Sequence, residues 1–226
     1  IASCVGCNPH LTSMSYLITG ASGFLGRHLI DTLHVQQPHT PLVALARADT
    51  QWGGGDGDDW QKPANLSTLD ASLFTPERWQ NDPQLDHVQG IFHLAGAVQH
   101  THKGSEPMWR TNVDGTLAMV RLAAAKKCRL IVLSTSGAIA SFKTSTEWAD
   151  ESGAFCLNTA GKLPYYASKI AMEQQAHALA TELGVELVFI RPPVMLGPGD
   201  HRFRSTEKIL KLLRGKLPFL LRGGMH

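Results

Sequence analysis

Short apolar runs alternate along this chain with longer segments whose apolar residues recur every three or four positions. The runs read as buried strands at about 16–20, 42–46, 88–94, 129–134 and 185–190. The segments at helical spacing predict helices at about 24–36, 69–80, 105–126 and 164–183. In the first of them Phe24, Leu25, Leu29, Ile30 and Leu33 share one face. Gly184 stands where a glycine C-cap would end the last. A further amphipathic helix, Ser205 to Arg214, sets Ile209, Leu210, Leu212 and Leu213 over a basic face and reads as a surface element. Residues 49–63, with Gly53-Gly54-Gly55 and several aspartates, read as a solvated loop. Strand and helix in alternation predict an α/β fold, a doubly wound parallel sheet of Rossmann type.

Composition narrows this only a little. The 226 residues suffice for one α/β domain with a sizeable core. A net charge of +2 gives no reason to expect nucleic acid or an acidic membrane as partner. No apolar stretch approaches the roughly 20 residues that span a bilayer. Four cysteines, Cys4, Cys7, Cys128 and Cys156, form no disulfide framework, which points to a reducing, cytoplasmic compartment. Cys4-Val5-Gly6-Cys7 has the spacing of a metal or redox pair but no second pair to complete it, so no metal is expected. Residues 1–13 precede Met14 and read as a tail; they lack the basic start and apolar core of a signal peptide.

Two places carry chemistry. Tyr16-Leu17-Ile18-Thr19-Gly20 runs into Ala21-Ser22-Gly23-Phe24-Leu25-Gly26, so a strand passes through a glycine turn into a helix. Such a turn leaves room for a pyrophosphate against the backbone, and the helix start offers its unpaired N–H groups and positive dipole end. The spacing is Gly-x-x-Gly-x-x-Gly, so the commoner Gly-x-Gly-x-x-Gly fingerprint is met only in logic. Farther on, Tyr165 and Lys169 lie one helical turn apart on one face. A cation there favours the phenolate and would bring the tyrosine's pKa down towards working pH, making a proton donor or acceptor for a carbonyl/alcohol pair.

Together these motifs resemble the short-chain dehydrogenase/reductase superfamily, and Thr19 to Gly26 resembles the opening of its extended branch, the NAD-dependent epimerases and dehydratases. His93-Leu94-Ala95-Gly96 is similar to the family's fourth-strand motif, and Thr111-Asn112-Val113-Asp114-Gly115-Thr116 to the segment bearing its asparagine. Ser134-Thr135-Ser136 follows an apolar strand where the catalytic serine is expected, and Arg191 to Asp200 resembles the segment that passes the nicotinamide. The resemblance covers roughly residues 15–200. It implies a cofactor domain over 14–195 and only the beginning of a substrate lobe over 196–226, a fragment of a longer family member. The helices at about 105–126 and 164–183 are where relatives dimerise, so a homodimer is possible on this reading.

The resemblance also assigns roles. Tyr165 would act as general acid in reduction and base in oxidation, Lys169 would lower its pKa and hold the nicotinamide ribose, and Ser136 would orient the substrate oxygen. Ser134 and Thr135 end the same strand, and a shift of one residue changes which side chain faces the cleft. Asn112 is expected to organise its helix near Lys169, and His93 to pack or line the cofactor shell. Cofactor contacts are expected from Gly20, Gly23, Phe24, Leu25, Gly26, Leu94, Ala95, Gly96, Tyr165, Lys169, Pro192 and Val194. Asn65-Leu66 falls where relatives touch adenine. At the end of the second strand, where an NAD enzyme places an acid, stands Arg47, whose guanidinium suits a 2′-phosphate; NADP is therefore favoured over NAD, with Asp49 two residues on as the competing feature.

After the serine strand the residues Gly137-Ala138-Ile139-Ala140 hold no acid, against the pattern of the family's dehydratases, and Val-Tyr-Gly of the epimerases is absent. The expectation is an NADP-dependent oxidoreductase acting on a small-molecule ketone or secondary alcohol, similar to hydroxysteroid and dihydroflavonol reductases. A sugar-nucleotide epimerase is the alternative within the family, and a non-catalytic dinucleotide-binding redox sensor the alternative outside it.

Overall fold

The computed structural model describes residues 14–52, 59–139, 142, 146–200 and 206–216. The tail 1–13, the Gly53-Gly54-Gly55 stretch and the last ten residues lie outside the described residues. Six parallel strands form one sheet: β1 (Ser15–Thr19), β2 (Leu42–Ala46), β3 (Leu66–Asp70), β4 (Val88–His93), β5 (Arg129–Leu133) and β6 (Leu187–Ile190). Their order, β3-β2-β1-β4-β5-β6, reverses between β1 and β4. Every strand points the same way, so all six carboxyl ends meet along one edge, and the reversal opens a crevice there.

The helices are α1 (Phe24–Gln36), α2 (Glu106–Trp109), α3 (Gly115–Lys126), α4 (Pro164–Leu183) and α5 (Thr206–Leu213). Side chains on successive strand residues point to opposite faces, which sorts the core into two layers. Leu17 of β1 and Val43 and Leu45 of β2 join one cluster with Met119, Val120, Met172 and Ala176 of α3 and α4. Their neighbours Ile18, Leu42 and Ala44 join the other, with Ile30 and Leu33 of α1. Strands buried on both faces read as continuous apolar runs, as β1 and β2 do. α4 ends on Gly184, whose left-handed φ of 68° lets its N–H reach the Ala180 and Thr181 carbonyls.

Two expectations need correcting. The helix anticipated over 69–80 does not form; β3 occupies its start and a short 3-10 turn, Pro76–Arg78, its end. Pro76 interrupts a helix there. Leu66–Asp70 instead pair in register with Leu42–Ala46, with Ser67, Thr68 and Asp70 exposed on the sheet's outer strand. Trp79, which gave the segment part of its helical spacing, is buried and donates its indole N–H to the Ser72 carbonyl at 2.8 Å. The helix expected over 105–126 is continuous but widens into a π turn at Arg110–Asp114, between α2 and α3. Wide turns of this kind are frequent at functional sites, and this one carries the buried Asn112.

Truncating Trp79 removes a large side chain from the outer strand's support. We expect Trp79→Ala to cost about 3–5 kcal/mol in urea unfolding, and a loss under about 1 kcal/mol would show the indole to be dispensable.

Candidate active site

The crevice at the β1–β4 reversal begins with a backbone that has no room for side chains. Gly20 has φ of 68°, and a Cβ there would stand 2.6 Å from the Ala95 nitrogen and 2.7 Å from the Leu94 carbonyl carbon. A Cβ on Gly26 would stand 2.3 Å from the Gly20 oxygen, so the first turn of α1 rests directly on the end of β1. Gly23 caps α1 without any side-chain hydrogen bond, and its first turn holds no acidic residue. The first N–H groups of a 13-residue helix thus face the crevice with no carboxylate competing for them. This donor set fits a pyrophosphate. Phe24 and Leu25 are half-buried beside it, the Phe24 ring meeting His28 edge to face and lying 3.3 Å from where a Gly197 Cβ would be.

Behind the glycine turn runs a buried hydrogen-bond chain. The Thr19 hydroxyl accepts from the Ala95 N–H at 3.2 Å and meets His93 Nδ1 at 2.7 Å. His93 Nε2 meets the Thr116 hydroxyl at 3.0 Å, and Thr116 donates to the Asn112 carbonyl at 2.7 Å. Because the Thr116 proton is spent on Asn112, the imidazole must donate from Nε2 and accept at Nδ1 from Thr19. His93 is therefore a neutral linker, its pKa driven down to about 3 by burial and then by the charge of Lys169. The Asn112 amide continues the chain: Oδ1 accepts from the Ala97 N–H at 2.8 Å, and Nδ2 donates to the Ala97 carbonyl at 3.0 Å and to Ser168 Oγ at 2.9 Å. The loop after β4 is thus bound to α4, one residue before Lys169.

On α4, Tyr165 and Lys169 face the end of β5. The Lys169 ammonium donates to the Leu133 carbonyl at 2.8 Å, and burial pulls its pKa down to about 8 against the opposing pull of Glu173. The Thr135 hydroxyl neighbours the Tyr165 phenol. Burial, then Tyr166, raise the pKa of that phenol above its ordinary value, and Thr135 opposes them. This departs from the expected lowering of Tyr165 by Lys169, because the ammonium is directed at a carbonyl rather than at the phenol. Tyr166 is occupied elsewhere: a Cβ on Gly137 would stand 2.3 Å from its Cε1, so its ring packs directly against that glycine.

Three neighbours at the β5 end now separate. Ser134 is buried and its hydroxyl donates to Glu173. Thr135 addresses the phenol. Ser136 opens a 3-10 turn, its N–H donating to the Pro192 carbonyl at 3.1 Å, and its side chain is half-buried. The structure thus puts Gly20, Gly23, Phe24, Leu25, Gly26, Leu94, Ala95, Gly96, Ser136, Tyr165, Lys169, Pro192 and Val194 along the carboxyl edge, each at or just past a strand end or at the start of α1 or α4. A Cβ on Gly96 would come 3.4 Å from Lys169 Nζ and 3.5 Å from Asn112 Oδ1, so the loop after β4 passes close over the ammonium. Arg47 directly follows β2 at the same edge, its exposed guanidinium paired with Asp49 through Nε at 3.3 Å.

Asn65 and Leu66 do not join them. Leu66 begins β3 and Asn65 precedes it, at the amino edge of the sheet, where Asn65 binds the Thr40 carbonyl at 2.8 Å and His34 Nδ1 at 2.8 Å. Parallel pairing with β2 puts Asp70 and Ala71 at the carboxyl edge instead. Missed in the sequence were Thr135 as the phenol's neighbour and Glu173, whose carboxylate takes Arg191 Nε at 3.1 Å and Nη2 at 2.6 Å. The signal for Glu173 was present: it continues the four-residue spacing of Tyr165 and Lys169. Among the described residues no His, Cys, Asp and Glu cluster could hold a metal ion, and no helix is long and apolar enough to cross a membrane.

The model of the NAD-dependent epimerase/dehydratase family matches residues 16–223. Cinnamoyl-CoA reductase 1 of Arabidopsis thaliana is 32% identical over 217 residues, covering 88% of this chain and 58% of that protein. Dihydroflavonol 4-reductase of Dianthus caryophyllus is 27% identical over 197 residues, covering 80% of this chain and 52% of its own length. The chain therefore spans just over half the length of these curated relatives. Among solved structures, dTDP-glucose 4,6-dehydratase of Bacillus anthracis in complex with NAD superposes with a TM-score of 0.73 at 20% identity, over 90% of this chain and 62% of that one. UDP-glucose 4-epimerase of Thermus thermophilus with NAD gives 0.63 at 23% identity, over 79% and 54%. These likenesses show the fold, a Rossmann-type doubly wound parallel sheet.

The neutral His93 predicts a pH dependence of stability. The unfolded chain takes up a proton near pH 6.5 that the folded chain refuses until about pH 3, so stability falls as pH drops through that window. The contribution is at most about 1.4 kcal/mol per pH unit, and urea unfolding at pH 7 and pH 5 should show it. In His93→Gln that part of the loss should disappear; an unchanged pH dependence would mean His93 is not the group.

Proposed function

The chain belongs to the NAD-dependent epimerase/dehydratase family, and from that premise we propose an NADP-dependent oxidoreductase that interconverts a small-molecule ketone and a secondary alcohol. The observation that carries the reading is Tyr165 and Lys169 on one face of α4, addressing the β5 end across the crevice from the glycine turn. Residues 14–195 are read as the dinucleotide-binding domain and 196–226 as belonging to the substrate lobe. The pyrophosphate would lie on the first turn of α1, with Gly20, Gly23 and Gly26 beneath it, and Lys169 would hold the nicotinamide ribose. A bound nicotinamide dinucleotide supplies or accepts the hydride. The chain's own task is the proton: Tyr165 protonates the carbonyl oxygen in reduction and takes the alcohol proton in oxidation. Thr135 and Ser136 hold the substrate oxygen against the phenol by hydroxyl hydrogen bonds. An ammonium with a pKa of about 8 gains and loses its proton near neutral pH, which suits Lys169 to restore the phenol after each turnover.

Several features support the finer choices. Arg47 at the end of β2 carries its charge where a 2′-phosphate would lie, and an exposed pair with Asp49, worth ~0.2–1 kcal/mol, yields readily to a dianion. A cavity of about 420 Å³, lined in part by Phe142, Trp148, Phe155 and Leu157, adjoins the turn that follows Ser136. Asp150, Asn158 and Thr159 share its lining, so it offers a wall of mixed polarity for the remainder of a substrate. The reductase names of the two plant relatives favour reduction of a carbonyl over epimerisation. The family's own description and the epimerase among the fold neighbours support a second reading, a sugar-nucleotide epimerase that retains NAD.

Tyr165→Phe in the full protein should lower turnover by about 10²–10⁴-fold with cofactor affinity little changed; normal turnover would remove Tyr165 from the mechanism. Arg47→Asp should weaken NADP⁺ binding by about tenfold or more and leave NAD⁺ binding nearly as it was. Calorimetric titration of each dinucleotide checks this, and an unaltered preference would refute the role given to Arg47.

A further inference from the structure

Helix α4 presents more than a tyrosine and a lysine to the end of β5. Tyr165, Lys169 and Glu173 recur at four-residue spacing, and each meets one place on the same short segment. The Tyr165 phenol neighbours Thr135, Lys169 Nζ bonds the Leu133 carbonyl at 2.8 Å, and Glu173 Oε1 accepts from Ser134 Oγ. Glu173 is 1% exposed, and a buried carboxylate is costly unless fully paired. Here it is paired: Arg191 Nε lies 3.1 Å from both oxygens and Nη2 2.6 Å from Oε2.

Arg191 begins the segment leaving β6. The paired register of β5 and β6 ends at Leu133 and Ile190. Beyond it two further bonds keep the chains together, Ser134 N–H to the Ile190 carbonyl at 2.7 Å and Ser136 N–H to the Pro192 carbonyl at 3.1 Å. Glu173 grips both chains where regular pairing stops, Ser134 by its hydroxyl and Arg191 by its guanidinium. We propose that Glu173 is a positioning residue, the third member of a Tyr165–Lys169–Glu173 stripe that holds Thr135, Ser136 and the Arg191-Pro192 segment in place around the reacting groups. The inference rests on the proposed proton-handling roles of Tyr165 and Lys169.

The same carboxylate acts on Lys169 one turn away, raising its pKa against the effect of burial. Among the described residues, the titratable groups on the elements packed here are His93 on β4, which acts on Lys169 but is neutral, Tyr165 one turn back on the same helix, and Arg191, which is engaged by Glu173. A merely structural carboxylate and a positioning one therefore give different results. The test follows the Lys169 titration by NMR of protein labelled with ¹³C at the lysine Cε, beside steady-state kinetics of the full protein.

Glu173→Gln should move the Lys169 midpoint below its starting value of about 8 and lower kcat by about tenfold to a hundredfold, with dinucleotide Kd changed less than about threefold. Since a lone Arg191 is expected to destabilise the fold, Glu173→Gln/Arg191→Met removes both partners together. That variant should recover the thermal midpoint while keeping the low Lys169 midpoint and the low kcat. An unmoved Lys169 midpoint, or a double variant with recovered kcat, would overturn the proposal. Because the titration is read on resting protein, it stands apart from turnover: a fully active Tyr165→Phe would overturn the catalytic reading while leaving the measured Lys169–Glu173 coupling intact.

Discussion

A Cβ at position 26 would lie 2.3 Å from the carbonyl oxygen of Gly20 and 2.6 Å from that of Ala21, so α1 can rest on the end of β1 only because that atom is missing. The close approach sets the position of everything along the carboxyl edge. It aims the open end of a 13-residue helix at the crevice, with no side-chain cap and no acid in its first turn. It also brings Gly20 against Leu94 and Ala95, which fixes where the strand across the reversal can lie. Parallel pairing does the rest, because six carboxyl ends at one edge bring residues from positions 20 to 192 into one line.

Polar groups then hold that edge from behind. His93, Thr19, Thr116 and Asn112 form a chain in which each buried donor finds an acceptor, running from the glycine turn to the π turn and on to Ser168. A network of this kind is stabilising only while complete. On the other side of the crevice, α4 grips the β5 end through a phenol, an ammonium and a carboxylate. Two supports thus converge where Gly96 meets Lys169.

The elements legible in the sequence were those whose residues serve one purpose. α1 and α4 came out with their observed ends because apolar spacing, glycine and cap agree there. β3 was hidden because an outer strand exposes Ser67, Thr68 and Asp70 and keeps only Leu69 buried, which leaves no apolar run to see. Trp79 and the leucines around it imitated a helix whose interior Pro76 forbids. Without β3 in place, Asn65 could be assigned to the cofactor edge, and only the register with β2 moves it to the opposite one. The β5 end was ambiguous by one residue for a similar reason: Ser134, Thr135 and Ser136 are chemically alike, and the partners that distinguish them, Glu173, Tyr165 and Pro192, come from distant parts of the chain. Glu173 itself looked like any acid on a helix until Arg191 was found against it.

The central claim is that this edge binds a nicotinamide dinucleotide, and calorimetric titration of the full protein with NADP⁺ and NAD⁺ tests it most directly. The account predicts saturable one-to-one binding, tighter for NADP⁺ than for NAD⁺. Heat no greater than dilution for both dinucleotides would contradict it.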